Sequence, residues 1–276
     1  MSKVNQNYIN LVVKQALDED LKPLGDITTQ LISFKNKRAK AKIVAKQNGV
    51  VVGLDFCKAA FKNIGKESIF SKKVKDGSKV KRGKVIATIV AKTKTILTAE
   101  RTALNFLSHA SGIATLTNKF VNKSNKKIKI CCTRKTTPNL RQIEKYAVKK
   151  GGGFNHRYNL SDEIMIKDNH INAETNLNAF IKKAIKTKKT VTVEIESVNQ
   201  LRQVLGLKFK RILFDNMSLS TLKKCLKLCS NKYETEYSGN VSLKNIKQIS
   251  STKVNRISIG SLTHSAKNFD FTLILD

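Results

Sequence analysis

The residues with the most chemistry to offer recur in one kind of place, just after short apolar runs in the second half of the chain. IKICC is followed by Thr133, Arg134, Lys135 and Thr136; EIMI by Lys167, Asp168, Asn169 and His170; TVTVEI contains Glu194 and leads into Glu196. RILF is followed by Asp215 and Asn216, YETEY by Ser238, Gly239 and Asn240, and RISIG ends in Gly260 with Ser261, Thr263 and His264 beyond. The Gly-rich turn at 151–153 leads to His156 and Arg157, so Arg134, Lys135, His156, Arg157 and Lys167 form a cationic set. Arginine grips a carboxylate or phosphate in a two-point fork and lysine adds a compact charge, so the set suits a substrate with several negative groups. Taken singly, each of these cations also fits a surface salt bridge; the cluster is what points to an anion site.

Glu194 and Asp215, on neighbouring runs, could hold a metal ion, bind sugar hydroxyls or stabilise positive charge on a sugar carbon. Paired carboxylates also serve glycoside hydrolysis, but the surrounding cations favour a phosphorylated sugar over a neutral glycan. The turn Ser238, Gly239, Asn240, with a helix predicted from Ser242, and the turn Gly260 to His264 offer backbone amides at helix starts, where a phosphate is well held.

Each of the six runs precedes a polar turn and then a helical stretch, which makes six βα units and implies a parallel sheet. In a barrel of such units the chemistry gathers at the carboxyl ends of the strands, where these residues lie. The first half is α+β. Ile9, Val12, Val13, Ala16 and Leu17 make one apolar helix face between Asn7 and Asp20. AKAKIVAK and GVVVG read as strands, a short helix follows near Asp55 to Ile64, and KVKDGSKVKRGKVIATIVAKT is strand-rich, punctuated by Gly77 and Gly83. A long helical pattern from Ile96 to about Lys123 bridges the halves, with Gly112 as a candidate break.

With 276 residues and 40% apolar content the chain can bury one large core or two modest ones. The net charge of +33 raises the possibility of a nucleic-acid or membrane-surface partner. Only nine of the 53 basic residues are Arg, however; the lysines are scattered, aromatics are 6% with no Trp, and no basic and aromatic stripe is present. A lysine-biased solvated surface accounts for most of the charge. The longest charge-free stretch, Thr102 to Asn118, is short and interrupted by Asn105, Ser108, His109 and Ser111, so no membrane span is expected, and the start lacks a signal-peptide apolar core. Cys57, Cys131, Cys132, Cys225 and Cys229 form no C-x-x-C pair and have no His at zinc-finger spacing, so neither a disulfide framework nor a structural metal is expected, and a reducing cytoplasm fits best. Cys225 and Cys229, one helical turn apart, read as core filler.

Seven strings, in this order along nearly the whole chain, resemble the quinolinate phosphoribosyltransferases, which are type II phosphoribosyltransferases: GDITT (25–29), AERTALNFLSHASGIAT (99–115), TRKTTPNLR (133–141), GGGFNHRYNLSDEIMIKDNHI (151–171), LFDNM, SGN and GSLTHS. The resemblance implies an α/β protein: an N-terminal α/β sandwich over 1–110, with 268–276 packing on it, and an incomplete parallel α/β barrel of six βα units over 111–267. It implies a homodimer whose sites lie between one subunit's barrel and its partner's N-terminal region, with Arg101 reaching into the partner's site. Arg134, Lys135, His156, Arg157 and Lys167 match residues around the quinolinate carboxylates and the pyrophosphate. Glu194 and Asp215 match the acidic pair near the ribose and magnesium, as metal ligands directly or at one remove, and together with Lys135 and Lys167 they are the expected catalytic residues. Ser238, Gly239, Gly260, Ser261 and His264 match the loops that hold the 5′-phosphate.

The implied reaction joins quinolinate to phosphoribosyl pyrophosphate with Mg2+, giving nicotinate mononucleotide, pyrophosphate and carbon dioxide on the way to NAD, in the cytoplasm and without an organic cofactor, a nucleic acid or a membrane. Thr192 stands where many members carry another Glu, which weakens any claim that three acids cooperate. Asn240 stands where many carry a second Gly; Asn tolerates tight turns and can donate to phosphate. Two rival readings are a phosphoribosyltransferase-like paralogue found with molybdate transport genes, which need not use quinolinate, and a basic nucleic-acid-binding protein on a non-catalytic barrel.

Overall fold

The computed structural model describes residues 3–33, 37–174 and 176–276. Two compact units emerge, one made of Met1–Asn118, Thr136–Gly152 and Leu262–Asp276, the other of Lys119–Lys135 and Gly153–Ser261.

In the first unit, α1 (Gln6–Leu21) buries Ile9, Val12, Val13 and Leu17, the face read from their spacing. The Asn5 side chain caps it by accepting from the Asn7 N–H, a contact that contributes about 1 kcal/mol to helix ends. Asp26 caps the short α2 (Ile27–Gln30) in the same way. Next come β1 (Arg38–Ala45), β2 (Gly49–Val50), α3 (Leu54–Ile64), β3 (Ile69–Lys72), β4 (Lys79–Val80), β5 (Val85–Lys92) and α4 (Thr93–Lys123). In β1 the alternate residues Ala41, Ile43 and Ala45 are fully buried, as a half-buried strand requires.

The GVVVG run forms a strand only over Gly49–Val50. Backbone groups beyond it find other partners: the Val52 N–H donates to Ser111 Oγ at 2.9 Å, and that hydroxyl donates back to the Val52 carbonyl at 3.0 Å. Helix α4 thus supplies the hydrogen bonds that a neighbouring strand would. Gly112 does not break α4, which runs continuously through it. A Cβ there would fall 2.2 Å from the Lys267 carbonyl oxygen, so the glycine permits the C-terminal segment to cross close against the helix.

The second unit contributes β6 (Lys129–Cys131), and the first unit resumes with α5 (Arg141–Lys150). The second unit then continues with β7 (Ile164–Ile166), α6 (Asp168–Ala173), α7 (Leu177–Lys186), β8 (Val191–Ile195), α8 (Val198–Val204), β9 (Arg211–Asp215), α9 (Leu219–Cys229), β10 (Glu234–Ser238), α10 (Ile246–Ser251) and β11 (Arg256–Ser258). Short α11 (Ser261–His264) and β12 (Phe271–Leu275) end the chain. Strand β12 pairs antiparallel with β1, giving the first unit a four-stranded sheet of order β12, β1, β5, β3.

All six runs of the second half become strands of one sheet, in the order β6, β11, β10, β9, β8, β7, and every pairing is parallel. Phe154 adds an isolated parallel bridge to Cys131 on the β6 edge. Strand register divides the side chains into two faces. Val193, Ile195, Ile212, Phe214 and Ile257 lie on one, and all are buried. The helices that follow the strands bury Leu201 and Val204 from α8, Leu222, Cys225 and Cys229 from α9, and Ile246 and Ile249 from α10. Cys225 and Cys229 are therefore core residues, and all five cysteines are buried thiols. The opposite face carries Thr192, Glu194, Arg211, Asp215, Glu234, Glu236, Ser238, Arg256 and Ser258, an unusual concentration of charge for a parallel strand face.

Candidate active site

The polar face carries a layer of interlocked charged residues and, at the strand ends, the acids expected in the site. In the charged layer Arg211 donates through Nη1 to Glu163 Oε2 at 3.0 Å and Thr192 Oγ1 at 3.1 Å, and through Nε to Glu234 Oε2 at 2.9 Å. Arg256 Nε lies 3.1 Å from Glu236 Oε2, and the Ser258 hydroxyl donates to Glu236 Oε1. Burial pushes the Glu236 carboxyl up, but His156, Arg256 and Ser258 outweigh it and hold the group below the usual carboxylate range. Thr192, the departure noted in the sequence, is a hydrogen-bond acceptor for Arg211 in this layer. Sequence reasoning misses Glu163, Arg211, Glu234, Glu236 and Arg256. The signal was present in the alternation of Glu234 and Glu236 within YETEY, which places both carboxylates on one face of a strand.

His156 joins this layer to the cationic cluster. Its Nε2 lies 3.3 Å from Glu236 Oε1, and its Nδ1 accepts the backbone N–H of Arg157 at 2.8 Å. Accepting that N–H requires an unprotonated Nδ1, so the ring proton sits on Nε2, facing the carboxylate. His156 is 7% exposed, and its contacts hold the backbone of Arg157 in place. Arg157 also donates through Nη1 to the Glu163 carbonyl at 3.2 Å. Burial and, after it, the charge of Arg134 pull its guanidinium below its ordinary value. Arg134 and Arg157 are thus half-buried like charges close enough to repel, an arrangement that an anion between them relieves. Lys135 is exposed beside them, its N–H bonded to Thr133 Oγ1 at 3.1 Å.

Glu194 and Asp215 lie toward the strand ends. Lys167, two residues beyond Met165, shares the face of Glu194, and its Nζ donates to Glu194 Oε2 at 2.7 Å. Burial pushes the Glu194 carboxyl up, Lys167 pulls it back, and the nearby Asp215 charge raises it again. Glu194 pairs in register with Leu213, so Asp215, two residues on, points to the same side. The turn after β10 stands beside Asp215: Ser238 pairs with Asp215 in register, and Gly239 has φ +100°. The helix expected from Ser242 begins instead at Ile246. Asn245 delays it, because its side chain accepts the Ser242 N–H at 2.8 Å and donates to the Asn240 carbonyl at 2.9 Å, holding the intervening residues as a turn. Gly260 and Ser261 are half-buried beyond β11.

Arg101 and His264 belong to the first unit, where both are exposed, Arg101 on α4 and His264 at the end of α11. The GDITT string acts on the same helix, because Asp26 accepts from Thr29 N–H at 2.9 Å and from the Thr98 hydroxyl at 3.1 Å, one turn before Arg101. A cavity of about 660 Å³ lies at the opposite, amino-terminal ends of β8, β9 and β10, beside Val191, Phe209, Lys210 and Tyr233, and no expected site residue lines it.

A parallel α/β sheet whose strand ends carry paired arginines, a lysine-bridged carboxylate and a second acid defines an α/β enzyme class that receives a polyanionic substrate. Residues 26–111 match the quinolinate phosphoribosyl transferase N-terminal domain, and 113–274 match the C-terminal domain of the same family. The chain is 41% identical over 255 residues to a probable carboxylating nicotinate-nucleotide pyrophosphorylase of Bacillus subtilis, covering 90% of this chain and 87% of that one. It is 37% identical to the corresponding probable enzyme of Methanocaldococcus jannaschii, with 97% of both chains covered. The crystal structure of NadC from Streptococcus pyogenes superposes with a TM-score of 0.94 at 38% identity, covering 99% of this chain and 98% of that one. The chain belongs to the quinolinate phosphoribosyltransferase family.

Proposed function

We propose that the chain transfers the phosphoribosyl group of phosphoribosyl pyrophosphate to quinolinate, releasing pyrophosphate and carbon dioxide and forming nicotinate mononucleotide for NAD synthesis. The observation that carries this reading is the gathering of Arg134, Arg157, Lys167, Glu194 and Asp215 at the strand ends of one unit, with a positive-φ turn beside Asp215. Clustered cations match a dicarboxylate and a diphosphate, paired acids match a sugar carbon that becomes positive, and the turns from Ser238 to Asn240 and from Gly260 to Ser261 offer amides for the 5′-phosphate.

Arg134 and Arg157, with Lys135, clamp the two carboxylates so that the pyridine nitrogen lies beneath the anomeric carbon. Catalysis is then mainly positioning and charge stabilisation. A bond forms between the ring nitrogen and the anomeric carbon as the bond from that carbon to pyrophosphate breaks, and the leaving oxygen takes the electron pair. Glu194 and Asp215 face the cationic sugar, and Lys167 opposes the burial that raises the Glu194 carboxyl. The alkylated ring, now positively charged, accepts the electron pair left when the adjacent carboxylate departs as carbon dioxide, and a proton then fills the vacated position. No organic cofactor is called for.

Among the described residues no group of three or more His, Cys, Asp or Glu could cage a metal, whereas two hard carboxylates suit magnesium, which retains water and substrate oxygens. Glu194 and Asp215 would hold it, and it would neutralise charge on the departing pyrophosphate. Arg101 is exposed on α4 and completes the site of a partner copy in a homodimer. Five buried thiols suit a reducing cytoplasm. No helix among the described residues is long and apolar enough to cross a membrane, and the scattered lysines call for no specific nucleic acid.

Incubation with quinolinate, phosphoribosyl pyrophosphate and magnesium, followed by mass spectrometry, tests the reading, with nicotinate as the control substrate. Nicotinate mononucleotide from quinolinate alone is the expected result. Product from neither substrate would transfer the reading to a paralogue acting on another ring acid.

A further inference from the structure

Asp215 does not stand alone at the end of β9. Asn216 Nδ2 donates to Asp215 Oδ2 at 2.8 Å, and Asn216 Oδ1 accepts from Asn240 Nδ2 at 3.2 Å. The orientation of the Asn216 amide is fixed by chemistry, because the reverse would set its oxygen against the carboxylate and its NH2 against the NH2 of Asn240. Asn216 is also bound through its main chain, its N–H donating to the Ser238 carbonyl at 3.0 Å. A Cβ at Gly239 would fall 2.2 Å from Asn216 Oδ1, so the turn is shaped around this side chain. Both asparagines adopt left-handed backbone, with φ +51° at Asn216 and +49° at Asn240, a region that Asn enters more readily than most residues.

We propose that Asn240 is a positioning residue: acting through Asn216, it orients the Asp215 carboxylate, so that the turn after β10 and the acid at the end of β9 form one hydrogen-bonded unit. This rests on the reading of Asp215 as an acid that faces the sugar. An exposed relay of two hydrogen bonds is worth a several-fold effect on rate rather than a thousand-fold one. Asn240 itself need not touch the reacting atoms.

Glycine adopts φ +49° without strain, so Asn240→Gly removes the side chain while keeping the turn. The relay predicts that Asn240→Gly lowers kcat by about three- to tenfold, with KM for phosphoribosyl pyrophosphate changed less than about twofold. A second comparison uses Asn216→Ala alone and combined with Asn240→Gly; the double variant should be no slower than Asn216→Ala, because the relay is already cut. A raised KM with unchanged kcat would assign Asn240 to phosphate binding only, and unchanged kinetics or additive losses would also overturn the relay. The parent protein, assayed alongside, separates the two failures: an inert parent removes the functional reading, whereas an active parent with an indifferent Asn240→Gly removes only this proposal. Should Asn216→Ala fail to fold, the kcat and KM of Asn240→Gly still decide.

Discussion

Lys167 Nζ and Glu194 Oε2 meet at 2.7 Å across the ends of β7 and β8, the lysine side chain 41% exposed and the glutamate 8%. The buried carboxylate is costly to ionise, and its lysine partner offsets that cost while remaining open to solvent and to a ligand. Lys167→Ala should lower kcat/KM by roughly tenfold to a few hundredfold, since a charge-assisted hydrogen bond is lost and Glu194 is left desolvated. Lys167→Arg should recover only part of the activity, because the planar fork does not reproduce a point charge at this distance. Steady-state kinetics with both substrates varied is the check; unchanged kcat/KM in Lys167→Ala would remove the pair from the site.

Much of this arrangement is legible in the sequence. The six strands follow from apolar runs bounded by polar turns, and their parallel order carried Arg134, Lys167, Glu194 and Asp215 to one end of a sheet. What was not legible depends on partners distant in the chain. GVVVG looks like a strand by composition, but Val52 bonds to Ser111, 59 residues away, on a helix. Gly112 resembles a break until the Lys267 carbonyl is seen against it. Helix α10 starts at Ile246 because of one side chain, Asn245, whose role no periodicity reveals. The charged layer beside the site depends on strand register, which sets Glu236 beside Arg256.

After burial, the charge of Arg134 pulls the Arg157 guanidinium down, and in the proposed reaction both grip the same anion. Replacing either with Ala should reduce kcat/KM for quinolinate by roughly tenfold to a few hundredfold. Arg157→Lys should remain impaired, because it keeps the charge and loses the two-point grip. Initial rates at varied quinolinate concentration test this, and normal kinetics in Arg157→Ala would exclude the residue from carboxylate binding.

Glu236 is fully buried between Arg256 and His156 and is expected to matter for stability. Glu236→Gln removes one member of a buried charge network, a change that costs about 3–5 kcal/mol. Urea unfolding measures it, and a loss under about 1 kcal/mol would contradict the assignment. The pH dependence has a definite sign. A carboxyl held below its ordinary value of about 4.3 stabilises the folded state above that pH, and the contribution is lost as pH falls through the depressed folded value. Glu234, also held below the usual range although burial opposes it, adds to the same acid-side loss. The parent should therefore lose stability more steeply than Glu236→Gln as the medium is acidified below about pH 4.3.

The most direct test of the central claim uses quinolinate labelled in the carboxylate next to the ring nitrogen, with phosphoribosyl pyrophosphate and magnesium, and follows carbon dioxide, pyrophosphate and nicotinate mononucleotide together. The account predicts that the three appear in equal amounts, and that none forms when either substrate is omitted. Pyrophosphate released without labelled carbon dioxide, or a mononucleotide that retains the label, would contradict it.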